Sequence, residues 1–244
     1  MRVKISFTRD NTSSNSIPLH HQKLIYDSLK TVVHEVGGNM KQLNFSSLKG
    51  TSKIQNGFMK FLSSKITLVI SGSNDELITN ISNRIFEKNF MPIGRMNLLP
   101  KGKEVTPDPE FTTQMRYLCI SPLVLFDPIK DAARSIEQID PTSHNFSDIL
   151  FNTTLDAMEK SGVPEATISS YAEFDVQPDA EYMQKAAAAN KKFARVYRSA
   201  EGKNMIGYLV PFTLHAHPDV HRYVWHNGIG VMTHEGYGML DLVK

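Results

Sequence analysis

The sequence predicts an α+β chain that runs twice through the order strand-helix-strand-strand-helix-strand. Three observations predict it. Val3, Ile5 and Phe7 alternate with Arg2, Lys4 and Ser6, the period-two signature of a half-buried strand. Ile25, Leu29, Val32, Val33 and Val36 then recur at helical spacing until Gly37 and Gly38, which supply the left-handed conformation that closes helices. The proline- and charge-rich stretch "PKGKEVTPDPE" reads as a linker, after which the same order begins again.

In the first half, "KQLNFSSL" is expected to form a short strand and "KITLVIS" a longer one, with Ile66, Leu68 and Ile70 on one face. After "GSND", Ser73 or Asn74 can cap a helix whose first turn holds Asp75 and Glu76. Its apolar face is Leu77, Ile78, Ile81 and Ile85. "MPIGRMNLL" closes the series. This is the split βαβ order of a ferredoxin-like (RRM-like) domain over residues 1–105. In the second half, residues 111–244, "QMRYLCISPLVLF" opens with a strand. "FSDILFNTTLDAMEK" follows as a helix with Ile149, Leu150, Thr153, Leu155 and Met158 as its stripe. "ATISSYAEFDV" reads as a strand and the alanine-rich "DAEYMQKAAAANKKF" as an inserted helix. "RVYRSAEGKNMIGYLVPFTLHA" reads as two strands joined at "EGKN", "PDVHRYVWHN" as a helix with proline in its first turn, and "EGYGMLDLV" as the last strand. The expectation is two tandem ferredoxin-like βαββαβ domains.

A chain of 244 residues suits two such domains. Its apolar runs, "PLVLF" and "LVPF", fall far short of the roughly 20 residues of a membrane helix. The single cysteine, Cys119, cannot form an internal disulfide, which points to the cytoplasm. With a net charge of +2, any nucleic-acid surface must be a local basic patch.

Four groups of residues could carry chemistry. Gly228, Gly230, Gly236 and Gly238 in "GIGVMTHEGYGML" could bring backbone amides against phosphates, or simply form a turn; they match neither a Walker loop nor a dinucleotide fingerprint. His234 within that run could touch a phosphate. A run of nearly one sign holds Lys185, Lys191, Lys192, Arg195, Arg198 and Lys203, interleaved with Phe193 and Tyr197, which is what RNA binding requires, although charged helices are commonly solvated faces. His215, His217, His221 and His226 could approach a zinc ion, but only Asp219 is near them and their spacing matches no standard site. His34 finishes the first helix, where its charge would meet the negative end of the dipole.

The closing glycine loop, together with "IPLHHQKLIYDSL", "VHEVGG" and "SPLVLF" in that order, resembles the RAMP superfamily. Within it the chain is most similar to the repeat-processing endoribonucleases of the sixth CRISPR-associated protein family. The resemblance covers most of the chain and implies two ferredoxin-like domains, a glycine-rich loop before the final strand, and cleavage of precursor CRISPR RNA within each repeat. It implies a metal-independent site of tyrosine, histidine and lysine, which map to Tyr26, His34 and Lys41, and calls for no cofactor. A histidine titrating near ~6.5 can move a proton at the ribose 2′-hydroxyl or the leaving 5′-oxygen. A lysine can stabilise charge on the phosphate. Attack by the 2′-oxygen leaves a 2′,3′-cyclic phosphate and a 5′-hydroxyl.

Spacing tests that assignment. On an unbroken helix the eight residues from Tyr26 to His34 span about 12 Å and roughly 80° of rotation, so sharing one phosphate requires a helix break around Thr31–Val33, or a merely positioning role for Tyr26. His20 and His21 are alternative catalysts, with packing the simpler expectation for His21. Lys49 and Lys53 lie on the same loop-rich stretch as Lys41 and could reach phosphate. The partners implied are CRISPR repeat RNA in its precursor, a CRISPR effector complex and a second copy of the chain, with no membrane. The rival reading is a catalytically silent subunit that holds guide RNA.

Overall fold

The computed structural model describes residues 1–126, 138–171, 173–189 and 193–243. The chain is an α+β protein and divides into two units. One comprises Met1–Asp108 with Arg198–Lys203 and His234–Gly236, and the other Pro109–Tyr197, Asn204–Thr233 and Tyr237–Lys244.

The first unit contains β1 (Arg2–Arg9), β2 (Ser16–Pro18), α1 (Gln22–Glu35), β3 (Asn44–Phe45), β4 (Ser52–Gln55), β5 (Phe58–Phe61), β6 (Lys65–Ser71), α2 (Asp75–Lys88), β7 (Met91–Ile93) and β8 (Met96–Thr106). Its main sheet has the order β3-β6-β1-β8-β7, and β2-β5-β4 form a separate small sheet. β1 pairs antiparallel with β6 on one side and β8 on the other. Its alternation resolves as expected: Val3, Ile5 and Phe7 are buried with Leu68 and Ile70, beneath Ile25, Leu29, Val32 and Val33 of α1 and Ile78, Ile81 and Ile85 of α2. Lys4, Ser6 and Thr8 lie on the opposite face of the sheet.

Two features of this unit differ from the sequence reading. "KGKEVT" is strand rather than linker, because β1 offers a pairing edge as far as Arg2, which stands opposite Thr106. The β4–β5 hairpin was not anticipated, although its Asn56-Gly57 turn is the strongest short-range hairpin signal; both residues have positive φ, 50° and 75°.

The second unit contains β9 (Gln114–Cys119), α3 (Phe146–Lys160), the one-turn α4 (Glu165–Ile168), β10 (Phe174–Pro178), α5 (Ala180–Ala188), β11 (Ala194–Arg198, whose last residue clusters with the first unit), β12 (Asn204–Tyr208), β13 (Pro211–Ala216), α6 (Pro218–Asn227) and β14 (Leu240–Leu242). Its sheet order is β10-β13-β9-β14. Tyr117, Phe212, Leu214, Leu150, Val220 and Val224 form its core. The buried face of α3 is Phe146, Leu150, Thr154 and Met158, a strict i, i+4 row one position away from part of the expected stripe; the Thr154 hydroxyl is satisfied by donating to Leu150 O at 2.7 Å. The expected strand after "EGKN" is two strands: β12 pairs with β11 in a ribbon, whereas β13 joins the main sheet. "ATI" turns out helical, with the strand starting only at Phe174.

Among the described residues no helix is long and apolar enough to cross a membrane. The cap of α2 gives a test of the local reading. Asn74 Oδ1 accepts from Leu77 N–H at 3.0 Å, so Asn74→Ala is expected to cost about 0.5–2 kcal/mol in urea unfolding.

Candidate active site

The start of α1 separates two adjacent histidines. His20 is exposed, while His21 is 3% exposed. His21 Nε2 accepts the Leu48 N–H at 3.1 Å, and Nδ1 lies 3.1 Å from Leu19 O, so the ring is held as the neutral tautomer donating from Nδ1. Burial pushes its pKa down to about 4. Next to it, buried Gln22 donates to Ser47 Oγ. These two side chains tie the first turn of α1 to the segment before β4, which leaves His21 no nitrogen for catalysis.

The other end of α1 is exposed. His34 occupies its last turn on the solvent side. Its neighbour Glu35 turns instead to α2, where its carboxylate meets Lys88 Nζ at 2.5 Å and Arg84 Nε at 2.8 Å. The Lys88 and Arg84 hydrogen bonds hold Glu35 below the ordinary carboxylate range, so its charge is spent on the α1–α2 contact. The helix then stops. Gly37 N–H reaches His34 O and Gly38 N–H reaches Val33 O, at 3.1 and 2.9 Å. A 3-10 turn, Met40–Gln42, follows, opened by Asn39, whose Oδ1 accepts the Lys41 N–H at 3.0 Å. The Lys41 side chain is exposed.

The helix is unbroken from Gln22 to Glu35. Tyr26 is therefore about 12 Å along the axis from His34. It is half-buried against the core of the unit. His34 and Lys41 are both exposed, on the last turn of α1 and on the 3-10 turn that follows it, and Tyr26 lies away from His34 along the helix.

The glycine loop is packed rather than open. In the second unit, Gly228 N–H donates to Val224 O, Ile229 N–H to Gly238 O, Gly238 N–H to Pro122 O and Val231 N–H to Val124 O, all at 2.8–3.0 Å. Gly238 has φ +66°, and a Cβ there would stand 1.8 Å from Ile229 O, so the position requires glycine for the fold itself. Gly230 likewise lies against Val124 O. Within the first unit, Gly236 rests on the Phe45 ring, where a Cβ would come within 2.2 Å. A 3-10 turn, Thr233–Glu235, leads into it, and buried Glu235 accepts the Ala200 N–H at 2.6 Å. His234 is half-buried. Burial depresses its pKa, Glu235 opposes that, and the charge of Lys41 adds to the depression. The loop thus presents an imidazole close to Lys41, four residues before the Phe45 on which Gly236 sits.

The family model described as CRISPR associated protein Cas6, C-terminal, matches residues 106–242, more than half of the chain. The chain belongs to the Cas6 family. Solved structures share its fold over the whole length. One is described as CRISPR associated protein Cas6 (18% identity, TM-score 0.81, 100% of this chain and 99% of that one). Another comes from the characterization of a Cas6-related gene from Pyrococcus furiosus (19%, TM-score 0.81, 100% and 98%). A third is described as an RAMP protein binding different RNA substrates (17%, TM-score 0.78, 100% of both). No curated protein matches the sequence. Membership in Cas6 supports a role in binding or processing RNA.

In this Cas6 chain the remaining expected RNA contacts scatter. Lys49 and Lys53 are exposed. Lys185 Nζ lies 2.5 Å from Glu181 Oε1, and Lys203 Nζ lies 3.2 Å from Glu201 Oε2, so the run of nearly one sign is partly neutralised. Arg195 is half-buried and Arg198 exposed. Lys191 and Lys192 lie outside the described residues. Tyr197, expected as a stacking face, is 4% exposed and serves a core with Val124, Met205 and Tyr237. Of the histidine cluster, His217 is the N-cap of α6, its Nδ1 accepting the Asp219 N–H at 3.2 Å, while His221 is buried with Nδ1 3.0 Å from the Tyr117 hydroxyl. Among the described residues no three His, Cys, Asp or Glu side chains gather as a metal group.

Burial also lowers His221 to about 4. His21 and His221 are neutral in both states above the unfolded value of ~6.5. Between there and about 4 the unfolded chain takes up protons that the folded chain refuses. Stability is therefore expected to fall as pH drops through that window, measured by urea unfolding from pH 7.5 to 4.5, with a shallower slope in His21→Gln. Gly238→Ala is expected to destabilise by more than about 1 kcal/mol in the same assay.

Proposed function

We propose that this Cas6 chain is a metal-independent endoribonuclease that binds CRISPR repeat RNA in its precursor and cuts within the repeat. The observation that carries the reading is the end of α1, where His34 and, on the following 3-10 turn, Lys41 are exposed while the neighbouring Glu35 is held by Arg84 and Lys88. His34 takes the proton of the ribose 2′-hydroxyl or supplies one to the leaving 5′-oxygen. The 2′-oxygen attacks phosphorus, the bond to the 5′-oxygen breaks, and the products are a 2′,3′-cyclic phosphate and a 5′-hydroxyl. Lys41 stabilises the negative charge gathered on the phosphoryl oxygens, and His234 is placed to contact the same phosphate. Tyr26 stays outside the reacting groups. Residues 1–105 and 111–244 are read as duplicated ferredoxin-like domains. In support, if the sheet strands of each unit are counted in chain order, with the short β7 set aside, both sheets run second-third-first-fourth.

A second reading, a subunit that holds guide RNA without cutting, draws support from the fold shared with an RAMP protein described as binding different RNA substrates. One experiment separates the two. Purified chain is incubated in EDTA with labelled repeat RNA and with the same RNA carrying a 2′-deoxyribose before the cut. Cleavage by the wild type, absent on the deoxy substrate and reduced about 10²–10⁴-fold in His34→Ala, is the expected result. Tight binding with no cleavage across several repeats would establish the guide-holding subunit instead.

A further inference from the structure

Between Glu35 and Asp75 the chain carries five lysines, Lys41, Lys49, Lys53, Lys60 and Lys65, and no aspartate or glutamate. In a protein of net charge +2 this is a local excess of positive charge, and four of the five lie on or beside the β4–β5 hairpin.

The hairpin has two unlike faces. Ile17, Met59 and Phe61 turn inward, with Ile17 and Phe61 1% and 2% exposed. Outward, the register sets Lys53 directly opposite Lys60 and Gln55 opposite Phe58. Like charges facing each other across an antiparallel pair oppose sheet formation, and no carboxylate in the surrounding sequence offsets them. Phe58 is 49% exposed beside that pair. Folding alone accounts for neither the lysine pair nor the open ring.

At the base of the hairpin lies a pocket of about 320 Å³ lined by Lys49, Gly50, Thr51, Ser63, Lys65 and Thr67. Its described lining offers two ammonium groups and three hydroxyls. Backbone bonds fix its shape: Lys49 and Thr67 exchange N–H···O bonds at 2.9 and 2.8 Å, and Leu62 N–H reaches Thr51 O at 2.8 Å. Ser63 Oγ accepts the Lys65 N–H at 3.0 Å, which leaves its own proton to donate.

We infer that the pocket and the outer face of the hairpin form a binding site for single-stranded RNA, separate from the turn that carries His34. One backbone phosphate sits between Lys49 and Lys65, against the Thr51, Ser63 and Thr67 hydroxyls. The strand then runs outward along the hairpin, its next phosphate between Lys53 and Lys60 and a base stacked on Phe58. The lysine pair, about two residues or roughly 7 Å from the pocket, is relieved of its mutual repulsion only when an anion lies between. Stacking accepts any base, so this site adds affinity and direction rather than sequence discrimination. The inference rests on the proposed RNA substrate but not on cleavage.

The test is fluorescence anisotropy of the full chain with a repeat RNA made uncleavable by 2′-deoxyribose at the cut, over a salt series. Phe58→Ala is expected to weaken binding about 10-fold with the salt slope retained, and Phe58→Trp to restore it. Lys65→Ala is expected to lower the slope of log K against log salt by about 0.7, the value of one lost phosphate contact on a single strand. Wild-type binding with both alanine variants matching it in affinity and slope would overturn the hairpin site and leave the RNA substrate standing. A wild type that binds no repeat RNA would overturn both. A wild type that binds but never cuts would remove only the nuclease, with the hairpin judged on the same titrations.

Discussion

The stop at the end of α1 fixes the candidate site. A Cβ on Gly38 would fall 2.5 Å from Leu77 Cδ1 and 3.1 Å from Val33 Cγ1, so the chain leaves the helix in direct contact with α2. Glu35, bonded to Arg84 and Lys88, fastens the same corner from its other side. With Gly38 seated and Glu35 turned to α2, His34 is left exposed on the last turn. Met40, 8% exposed, then anchors the 3-10 turn that carries Lys41. The spacing of the two side chains is thus a product of helix packing, and a bulkier residue at 38 would move both before it touched either. Surface ion pairs such as those of Glu35 contribute little stability individually; their effect here is to determine where a neighbouring side chain points.

Burial sets one of three histidines on this segment apart from the other two. His20 and His34 are exposed, whereas His21 is locked neutral between Leu19 and Leu48. Periodicity places His21 one position before the helix begins but cannot tell that its ring accepts the N–H of a residue 27 positions later. That bond depends on how β3 and the segment after it return over α1, and non-local return is what a single sequence does not encode in any window.

The same distinction separates what was legible from what was not. Both helices of the first unit, their stripes and the Asn74 cap follow from spacing within one turn of chain. β8 was cut short because "KGKEVT" has no apolar alternation of its own; it is strand because β1 supplies hydrogen bonds along its whole length. β12 and β13 read as one strand because the apolar run "MIGYLVPF" is continuous, whereas Pro211 and a change of partner divide it. Tyr197 looked like a stacking residue among cations, yet the ribbon of β11 and β12 turns it into a small core, and burial pushes its phenol up to about 12. Charge runs report composition; only the fold decides which members are paired, as Lys185 is with Glu181.

The glycine loop shows how packing can account for a motif that composition alone leaves open. Four glycines so close to the last strand suggested amides aimed at phosphate. The amides of Gly228, Ile229, Val231 and Gly238 are instead spent on neighbouring carbonyls, and Gly238 and Gly230 are glycine because carbonyl oxygens fill the space a side chain would need. Within the first unit, Gly236 packs on the Phe45 ring and Glu235 accepts the Ala200 N–H. Next to Glu235 stands His234, within the electrostatic reach of Lys41. The seat of Gly236 on the Phe45 ring fixes the backbone two residues after that imidazole.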